Sequence, residues 1–302
     1  VIYVKGGNFG GVASNNKVVT SNGGKVIITG GTFNFDPTNW VAENYVAKKD
    51  GSNWKVVPEE TVEIEGVVYT SVNDAKSLTD ALNAGTENIV LFPGNYEETF
   101  AIKADNTTIL GLKDAVVACI NLNGAKNTTI KNVEFDAAKA QMSYDYKLTA
   151  KQYANIITGD KTNNSLKGAH GVVIDGCKFT GEFANGGASI AFTDYNRTSG
   201  FSGDITIKNC TFDTKNAYYN IYGHYCGNGA NGIGDFVIEN NTFNTTFTAG
   251  GAIYLGRYAS SVPVVVRGNT FNVAKSLDEA MFVQDHSNYG VSINASNNTF
   301  AN

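Results

Sequence analysis

The stretch ITIKNCTFD at residues 205–213 indicates how the chain folds, because three other parts of the chain repeat its pattern. The related stretches are VVIDGCKFT at 172–180, FVIENNTFN at 236–244 and VVVRGNTFN at 264–272. In each of them, apolar residues alternate along the chain, a Gly or Asn follows, and a Phe comes three residues later. Period-two alternation is typical of a strand with one buried face, and Gly and Asn tolerate a left-handed backbone. Each stretch therefore predicts a strand, a sharp corner and the start of a second strand.

The Phe of this pattern recurs along most of the chain, and from Phe179 onward its spacing is roughly 30 residues. A period of this length with strand and turn content is typical of a solenoid, in which strands of successive repeats stack about 4.8 Å apart. The 33 Gly residues and the many Asn and Thr residues also favour an all-β chain. The aligned positions are Phe9, Phe33, Phe135, Phe179, Phe212, Phe243, Phe271 and Phe300.

The composition excludes several classes of protein. The 302 residues carry a net charge of −5 with only 23 Lys and Arg, which argues against a nucleic-acid partner. No apolar run of about 18 residues is present, so we expect no membrane span. The 4 Cys residues lack the C-x-x-C spacing of zinc sites.

The repeated pattern resembles that of right-handed parallel β-helix proteins of the pectate-lyase-like superfamily. The resemblance covers about 125–302 well and 1–35 more thinly, and residues 77–112 look like the N-terminal entry of such a helix. There, Ser77–Ala84 reads as a short amphipathic helix that would cover the open end of the stack. The implied fold is all-β, a right-handed parallel β-helix with an N-terminal capping helix and a small preceding β segment.

This reading divides the chain into three parts. Residues 1–60 form a short β segment with a flap and a hairpin about Asp50-Gly51, 61–76 are a linker, and 77–302 form the β-helix. An insertion near 136–168 interrupts the β-helix as a long loop or short helix. Both ends of the sequence lie inside repeats, so we expect a segment of a longer polypeptide or assembly.

Two columns of the predicted stack have structural explanations. In the related family, the inward slot at the corner often carries a ladder of asparagine amides, which Asn241, Asn269 and Asn298 would form here. Cys177 and Cys210 occupy the same slot, where apolar packing, a disulfide and reactive chemistry are the alternatives. One column has charges of alternating sign, which favours a solvated ladder of ion pairs over a site. Its members are Lys5, Thr29, Lys131, Asp175, Lys208, Glu239 and Arg267, and the signs alternate from Lys131 onward.

A third column contains the candidate site. Aligning IAFTDY (190–195), NIYGHY (220–225), IYLGRY (253–258) and MFVQDH (281–286) stacks acid, imidazole, guanidinium and acid groups at the fifth position. Such groups seldom cluster without a function. The predicted catalytic residues are Asp194, His224, Arg257 and Asp285. The predicted substrate-binding residues are Tyr195, Tyr225, Tyr254, Tyr258, Gln284 and His286.

Three interpretations of this column remain open. In catalysis, His224 or a carboxylate would act as base and Arg257 would neutralise a uronate. Asp194 and Asp285 would lie roughly 14 Å apart, too far for a glycosidase pair. In binding, the tyrosines would form a platform for sugars. A structural row of salt bridges and stacked tyrosines, or a subunit interface, is the third interpretation.

The resemblance implies an extracellular, polysaccharide-related role such as that of lyases, hydrolases, adhesins or phage tail-spike and fibre proteins. We expect a non-catalytic protein of the cell surface or a virion appendage, structural or adhesive, that binds a polysaccharide or cell-surface glycan. It would act as a homo-oligomer, such as a trimer, or in a larger assembly. The alternative is a polysaccharide lyase that cleaves an acidic polysaccharide by β-elimination. No cofactor is expected to be required, and calcium would enter only in the lyase.

Overall fold

The computed structural model describes residues 1–10, 25–143, 153–158, 168–193, 202–224, 226–227, 236–285, 288 and 290–301. The chain forms two compact units, Val1–Val72 and Asn73–Asn302. Within the described residues, no helix is both long and apolar enough to cross a lipid bilayer.

The first unit contains short strands around a small apolar core. The strands are β1 (Ile2–Val4), β2 (Asn8–Phe9), β3 (Val26–Ile28), β4 (Gly31–Phe33), β5 (Tyr45–Asp50), β6 (Asn53–Pro58), β7 (Thr61–Ile64) and β8 (Val67–Val72), with a 3-10 helix at Thr38–Trp40. Strand β1 pairs with β3, β2 with β4, β4 with β6, β5 with β6, and β7 with β8. Val4, Ile28, Phe33, Phe35 and Val56 form the buried core.

The predicted hairpin about Asp50-Gly51 is confirmed, since β5 and β6 are antiparallel and joined there. The prediction that 61–76 are a linker is wrong. Strands β7 and β8 form an antiparallel hairpin whose turn residues, Glu65 and Gly66, have φ of 52° and 80°. Two adjacent positive φ angles suit the twist of a two-residue hairpin turn, which explains how so short a loop closes.

In the described residues of the second unit, most elements are strands. Its helices are α1 (Ala75–Asn83), α2 (Leu277–Ala280) and a 3-10 helix at Ala137–Lys139. Its strands are β9 (Asn88–Leu91), β10 (Gly94–Ala101), β11 (Thr108–Gly111), β12 (Ala115–Asn121), β13 (Thr129–Lys131), β14 (Glu134–Asp136), β15 (Met142–Ser143), β16 (Tyr153–Ile157), β17 (His170–Asp175), β18 (Lys178–Glu182), β19 (Gly187–Thr193), β20 (Gly203–Lys208), β21 (Thr211–Lys215), β22 (Ala217–His224), β23 (Phe236–Glu239), β24 (Thr242–Phe243), β25 (Phe247–Tyr258), β26 (Val264–Arg267), β27 (Thr270–Phe271), β28 (Met281–Asp285), β29 (Ile293–Ser296) and β30 (Thr299–Phe300).

Successive repeats of this unit add strands to three parallel rows. The first row runs β9, β11, β13, β17, β20, β23, β26, β29, and the second runs β14, β18, β21, β24, β27, β30. The third row runs β16, β19, β22, β25, β28. Strand β12 pairs with both β14 and β16, and so joins the second and third rows. This all-β arrangement of long parallel sheets is compatible with the predicted parallel β-helix.

The predicted Phe column is confirmed in the second row. Each Phe from Phe135 to Phe300 is the direct strand partner of the next one. Their ring centroids are 4.7 to 5.4 Å apart, and the rings are stacked. The repeated Phe in the sequence therefore corresponds to a continuous stack of rings, which are buried from Phe135 to Phe271 and partly buried at Phe300.

The predicted corner slot is also confirmed. Asn241 Nδ2 donates to Asn269 Oδ1 over 3.0 Å, and Asn269 Nδ2 donates to Asn298 Oδ1 over 3.1 Å. Cys177 and Cys210 are free thiols that are 1 % exposed, which supports apolar packing. Burial raises the pKa of the Cys210 thiol well above its usual range, which argues against reactive chemistry there.

The residues of alternating charge that precede the corner form ion pairs, as predicted. Lys208 Nζ lies 3.6 Å from Asp175 Oδ2, and Arg267 Nη2 lies 2.6 Å from Glu239 Oε2. Such partly exposed pairs contribute little to stability and need no functional explanation.

The predicted N-terminal helix is confirmed as α1. Its apolar face buries Leu78, Ala81 and Leu82. Within the predicted insertion, β16 supplies a strand of the third row, while 144–152 and 159–167 lie outside the described residues. At least one part of the insertion, β16, therefore belongs to the stack and does not leave it as a loop.

Candidate functional site

The third row sets the register of the predicted site, and one of its strands was misaligned in the prediction. Ile190 pairs with Ile221, and Ile221 pairs with Ile253. His224 therefore lies opposite Thr193 and Gly256, not opposite Arg257. The prediction began the alignment at Asn220, one residue too early. Matching the Ile residues would have found the correct register, because these side chains share one buried column.

The other charged members of the predicted column do not align either. The pairing of β25 with β28 shifts between Leu255 and Tyr258, and Arg257 has a φ of 53°. Asp285 lies opposite Tyr258 as a result, and its Oδ2 accepts a hydrogen bond from the Gly290 N–H over 2.9 Å. The predicted column of His224, Arg257 and Asp285 is therefore wrong. Its fourth member, Asp194, lies outside the described residues.

The predicted binding residues separate into three groups. Tyr258 is fully buried and packs edge to face with Phe236 at 6.0 Å, so a ligand at the surface does not reach its ring. Gln284 is exposed, and Tyr254 joins a row of aromatic rings. Tyr195, Tyr225 and His286 lie outside the described residues.

The row of aromatic rings that includes Tyr254 is called here the aromatic stack. It consists of Tyr219, Tyr222, Tyr254 and Phe282. Tyr222, Tyr254 and Phe282 are direct strand partners, and their ring centroids are separated by 5.3 and then 5.1 Å. Tyr219 leans against Tyr222 and Tyr254 at 5.3 and 5.1 Å. His224 lies at one side, 6.2 Å from the Tyr222 ring. The chain thus gathers four aromatic side chains from three neighbouring strands.

The rings of the aromatic stack are exposed to different degrees. Tyr222 is only 6 % exposed, whereas Phe282 at the end of the stack is 51 % exposed. Neighbouring rings cover both faces of Tyr254. The ring surface that a ligand could contact is therefore concentrated on Phe282 and on the edges of Tyr219 and Tyr254.

A cleft with two lobes adjoins the aromatic stack. The larger lobe has a volume of about 440 Å³ and the smaller about 280 Å³. Both are lined by Gly250, Gly251, Glu279 and Ala280. The larger lobe adds Thr245, Thr246, Phe247, Ala252, Val273 and Ala274, and the smaller adds Tyr219, Ile253, Tyr254, Asp278, Met281 and Phe282.

The two glycines line the shared part of the cleft at places where the backbone is crowded. Gly250 has a φ of +77°, and a Cβ on it would lie 2.4 Å from the Tyr218 carbonyl oxygen. A Cβ on Gly251 would lie 3.3 Å from the Glu279 carbonyl oxygen. Larger residues at these positions would distort β25 or narrow the cleft.

Two carboxylates lie on α2 at the cleft. Asp278 and Glu279 are both exposed, and α2 begins after Ser276, whose Oγ accepts the Glu279 N–H over 3.4 Å. Glu279 Oε2 accepts the Lys275 N–H over 2.8 Å, so this carboxylate has a defined position. Among the described residues that line the cleft, none is Lys, Arg or His.

The cleft can therefore pack an apolar face on aromatic rings and accept hydrogen bonds at carboxylates. No group of three or more His, Cys, Asp or Glu suited to a metal ion occurs in the described part of the chain. Sequence reasoning missed Tyr219, Tyr222, Phe282 and the acidic pair. The correct register would have revealed the aligned rings, whereas nothing in the local pattern connects Glu279 with Gly250.

Comparisons with known proteins add no family to these observations. No protein-family model matches the chain, and no curated protein matches it at a significant level.

Proposed function

We propose that the chain is a right-handed parallel β-helix protein of the cell surface or of a virion appendage that binds a polysaccharide or cell-surface glycan. The long parallel rows and the continuous Phe stack support the β-helix. Such a scaffold suits an adhesive or structural role outside the cell, because its stacked repeats hold surface side chains in fixed positions. A trimer or larger homo-oligomer belongs to the same proposal.

The observation that carries the binding proposal is the cleft beside the aromatic stack. Ligand sites are typically concave, partly apolar and of about 300–1,000 Å³, with a few polar groups that orient the ligand. The larger lobe has about 440 Å³, and Phe282 and Glu279 supply the two kinds of contact. A sugar ring has an apolar C–H face that packs on aromatic rings and hydroxyls that donate to carboxylates.

The cleft supports binding better than lyase chemistry. A lyase acting on an acidic polysaccharide needs a base and a cationic group that neutralises the uronate. His224 and Arg257 do not share a register position, and neither is among the described residues that line the cleft. Calcium, which the lyase alternative would involve, is accordingly not part of the proposal.

The test is a glycan array probed with the purified chain and two variants. We expect Phe282→Ala to weaken binding at least tenfold, because it removes the most exposed ring of the cleft. Tyr3→Ala is the matched control, since Tyr3 is 62 % exposed and lies outside the cleft. Circular dichroism would show that each variant is folded.

Two results would overturn the proposal. One is the absence of binding to every glycan of a broad array, and the other is binding that Phe282→Ala leaves unchanged. Analytical ultracentrifugation of both variants provides a second reading. If Phe282→Ala dissociates an oligomer and glycan binding stays intact, the stack is a subunit interface.

A further inference from the structure

The charged residues among the described lining of the cleft are all acidic. Its described lining includes two carboxylates, Asp278 and Glu279, and no cationic side chain. Lys275 is close in sequence, but its contact with Glu279 is made by its backbone N–H. A negative ligand entering this cleft would therefore meet like charge without a compensating partner.

Glu279 holds the central position in the cleft. It lines both lobes, and its carbonyl oxygen would lie 3.3 Å from a Cβ on Gly251. A ligand that occupies both lobes therefore lies beside Glu279. A charge at such a position affects every ligand long enough to fill the cleft.

The hydrogen bonding of Glu279 leaves acceptor capacity for a ligand. Oε2 accepts the Lys275 N–H, which fixes the side chain in place. No described residue donates a hydrogen bond to Oε1. A carboxylate oxygen held in this way is preorganised to accept a hydroxyl or an ammonium group.

We infer that the cleft selects saccharides without negative charge, either neutral or bearing a free amine, and rejects uronate, sialylated and sulfated saccharides. The inference rests on the proposed glycan binding and names its ligand class. The sugar ring packs on Phe282, and Glu279 accepts a hydroxyl or ammonium proton from it. Discrimination comes from the charge of the cleft and not from its shape alone.

The test is isothermal titration calorimetry with three sets of oligosaccharides of equal length. The sets are neutral glucose oligomers, glucosamine oligomers with free amines, and galacturonate oligomers. For the unmodified chain we expect the galacturonates to bind at least tenfold more weakly than the better of the other two sets. Added salt should weaken glucosamine binding and leave glucose binding nearly unchanged, because only the former involves charge attraction.

Charge variants at position 279 sharpen the test. Glu279→Gln retains an acceptor for the Lys275 N–H, and we expect it to lose at least fivefold in glucosamine affinity. Glu279→Lys should lower glucosamine affinity at least tenfold and raise galacturonate affinity at least tenfold. Glu63→Lys is the control, because Glu63 is exposed on β7, outside the cleft, and should change neither affinity.

The outcomes separate this inference from the proposed function. Equal or tighter galacturonate binding by the unmodified chain would overturn the charge selection and leave glycan binding standing. The same conclusion follows if a folded Glu279→Lys variant keeps the original order of affinities. Failure of all three sets and of a wider array to bind would overturn the proposed function and this inference together.

Discussion

Gly111 ends strand β11 where the chain passes close to the next repeat. A Cβ on this residue would lie 2.5 Å from the Asn132 carbonyl oxygen and 2.9 Å from the Val133 Cα. Both of these are backbone atoms, so a side chain at this position can be accommodated only by moving the corner itself. A glycine is needed at position 111 because the backbones of two neighbouring repeats approach too closely there for a side chain.

We expect Gly111→Ala to lower the free energy of unfolding by about 1–3 kcal/mol or more, as overpacking does in well-packed interiors. Gly94→Ala is the matched control, because its Cβ would approach the nearest atom only to 3.6 Å, an ordinary contact. That variant should stay within about 0.5 kcal/mol of the original chain. Urea unfolding followed by circular dichroism measures both, and equal stability of the two variants would contradict the expected crowding.

Asn269 shows that a buried polar side chain needs hydrogen-bond partners within the protein. Its Oδ1 accepts from the Asn241 N–H and Nδ2, both over 3.0 Å, and its Nδ2 donates to the Ile238 carbonyl over 2.8 Å. The residue is fully buried, so water cannot replace these bonds.

Replacing Asn269 by Ala should therefore cost about 2–4 kcal/mol, since it leaves the Asn241 N–H and the Ile238 carbonyl without this partner. Asn272 offers a matched comparison, because it donates to Asn244 Oδ1 over 2.7 Å on the exposed surface. Asn272→Ala should change stability by no more than about 0.5 kcal/mol. Denaturant unfolding of both variants checks the difference, and a mild effect at Asn269 would show that the ladder is not stabilising.

At the scale of elements, helix α1 depends on its N-terminal cap. Asp74 precedes the helix, and its Oδ1 accepts the Ser77 N–H over 2.7 Å, while Ser77 Oγ accepts the Asp74 N–H over 3.2 Å. These reciprocal bonds form a capping box. The hydrogen bond from the Ser77 backbone N–H is the main cause that lowers the pKa of the Asp74 carboxyl.

Because folding lowers this pKa, the Asp74 carboxylate stabilises the protein above its unfolded pKa of about 3.9, and the contribution is lost as pH falls through the lower folded value. We expect Asp74→Ala to cost about 1 kcal/mol at pH 7 and less below about pH 4. Asp80→Asn, which removes an exposed pair with Lys76, should cost less than about 0.5 kcal/mol. Unfolding curves from pH 3 to 7 test this, and a cost of Asp74→Ala that does not change with pH would contradict it.

Strand β25 shows how an irregular element moves side chains. Its pairing shifts against β22 between Ala217 and Tyr219, and against β28 between Leu255 and Tyr258. A one-residue slip exchanges the inward and outward faces of a strand. The second shift accompanies the inward position of Tyr258, while Tyr254 stays in register with Phe282.

At the scale of the whole molecule, the regular parts could be predicted from sequence and the irregular parts could not. The Phe stack, the Asn ladder, the paired charges and α1 all follow from patterns that recur or are local. The sequence pattern does not indicate the hairpin of β7 and β8, because its Glu65-Gly66 turn is not among the strongest turn signals and no repeat marks it. The third row was misaligned, because loops of unequal length precede its strands.

The candidate site shows the same division. Tyr254 was predicted as a binding residue and lines the cleft, whereas Tyr258 was predicted beside it and is buried. Only the observed register brings Tyr222, Tyr254 and Phe282 into one stack. The acidic pair on α2 was not predicted, because a four-residue helix leaves no periodic signal.

The residue pattern alone specifies the repeat, since alternating apolar residues, a Gly or Asn corner and a Phe act within each repeat. The repeats then stack along the chain, because each of them buries the same apolar positions against the next. The set of side chains that line the cleft depends on the folded structure. Shifts in strand pairing and the approach of Glu279 to Gly251 on the neighbouring strand bring them together, and no local pattern encodes either.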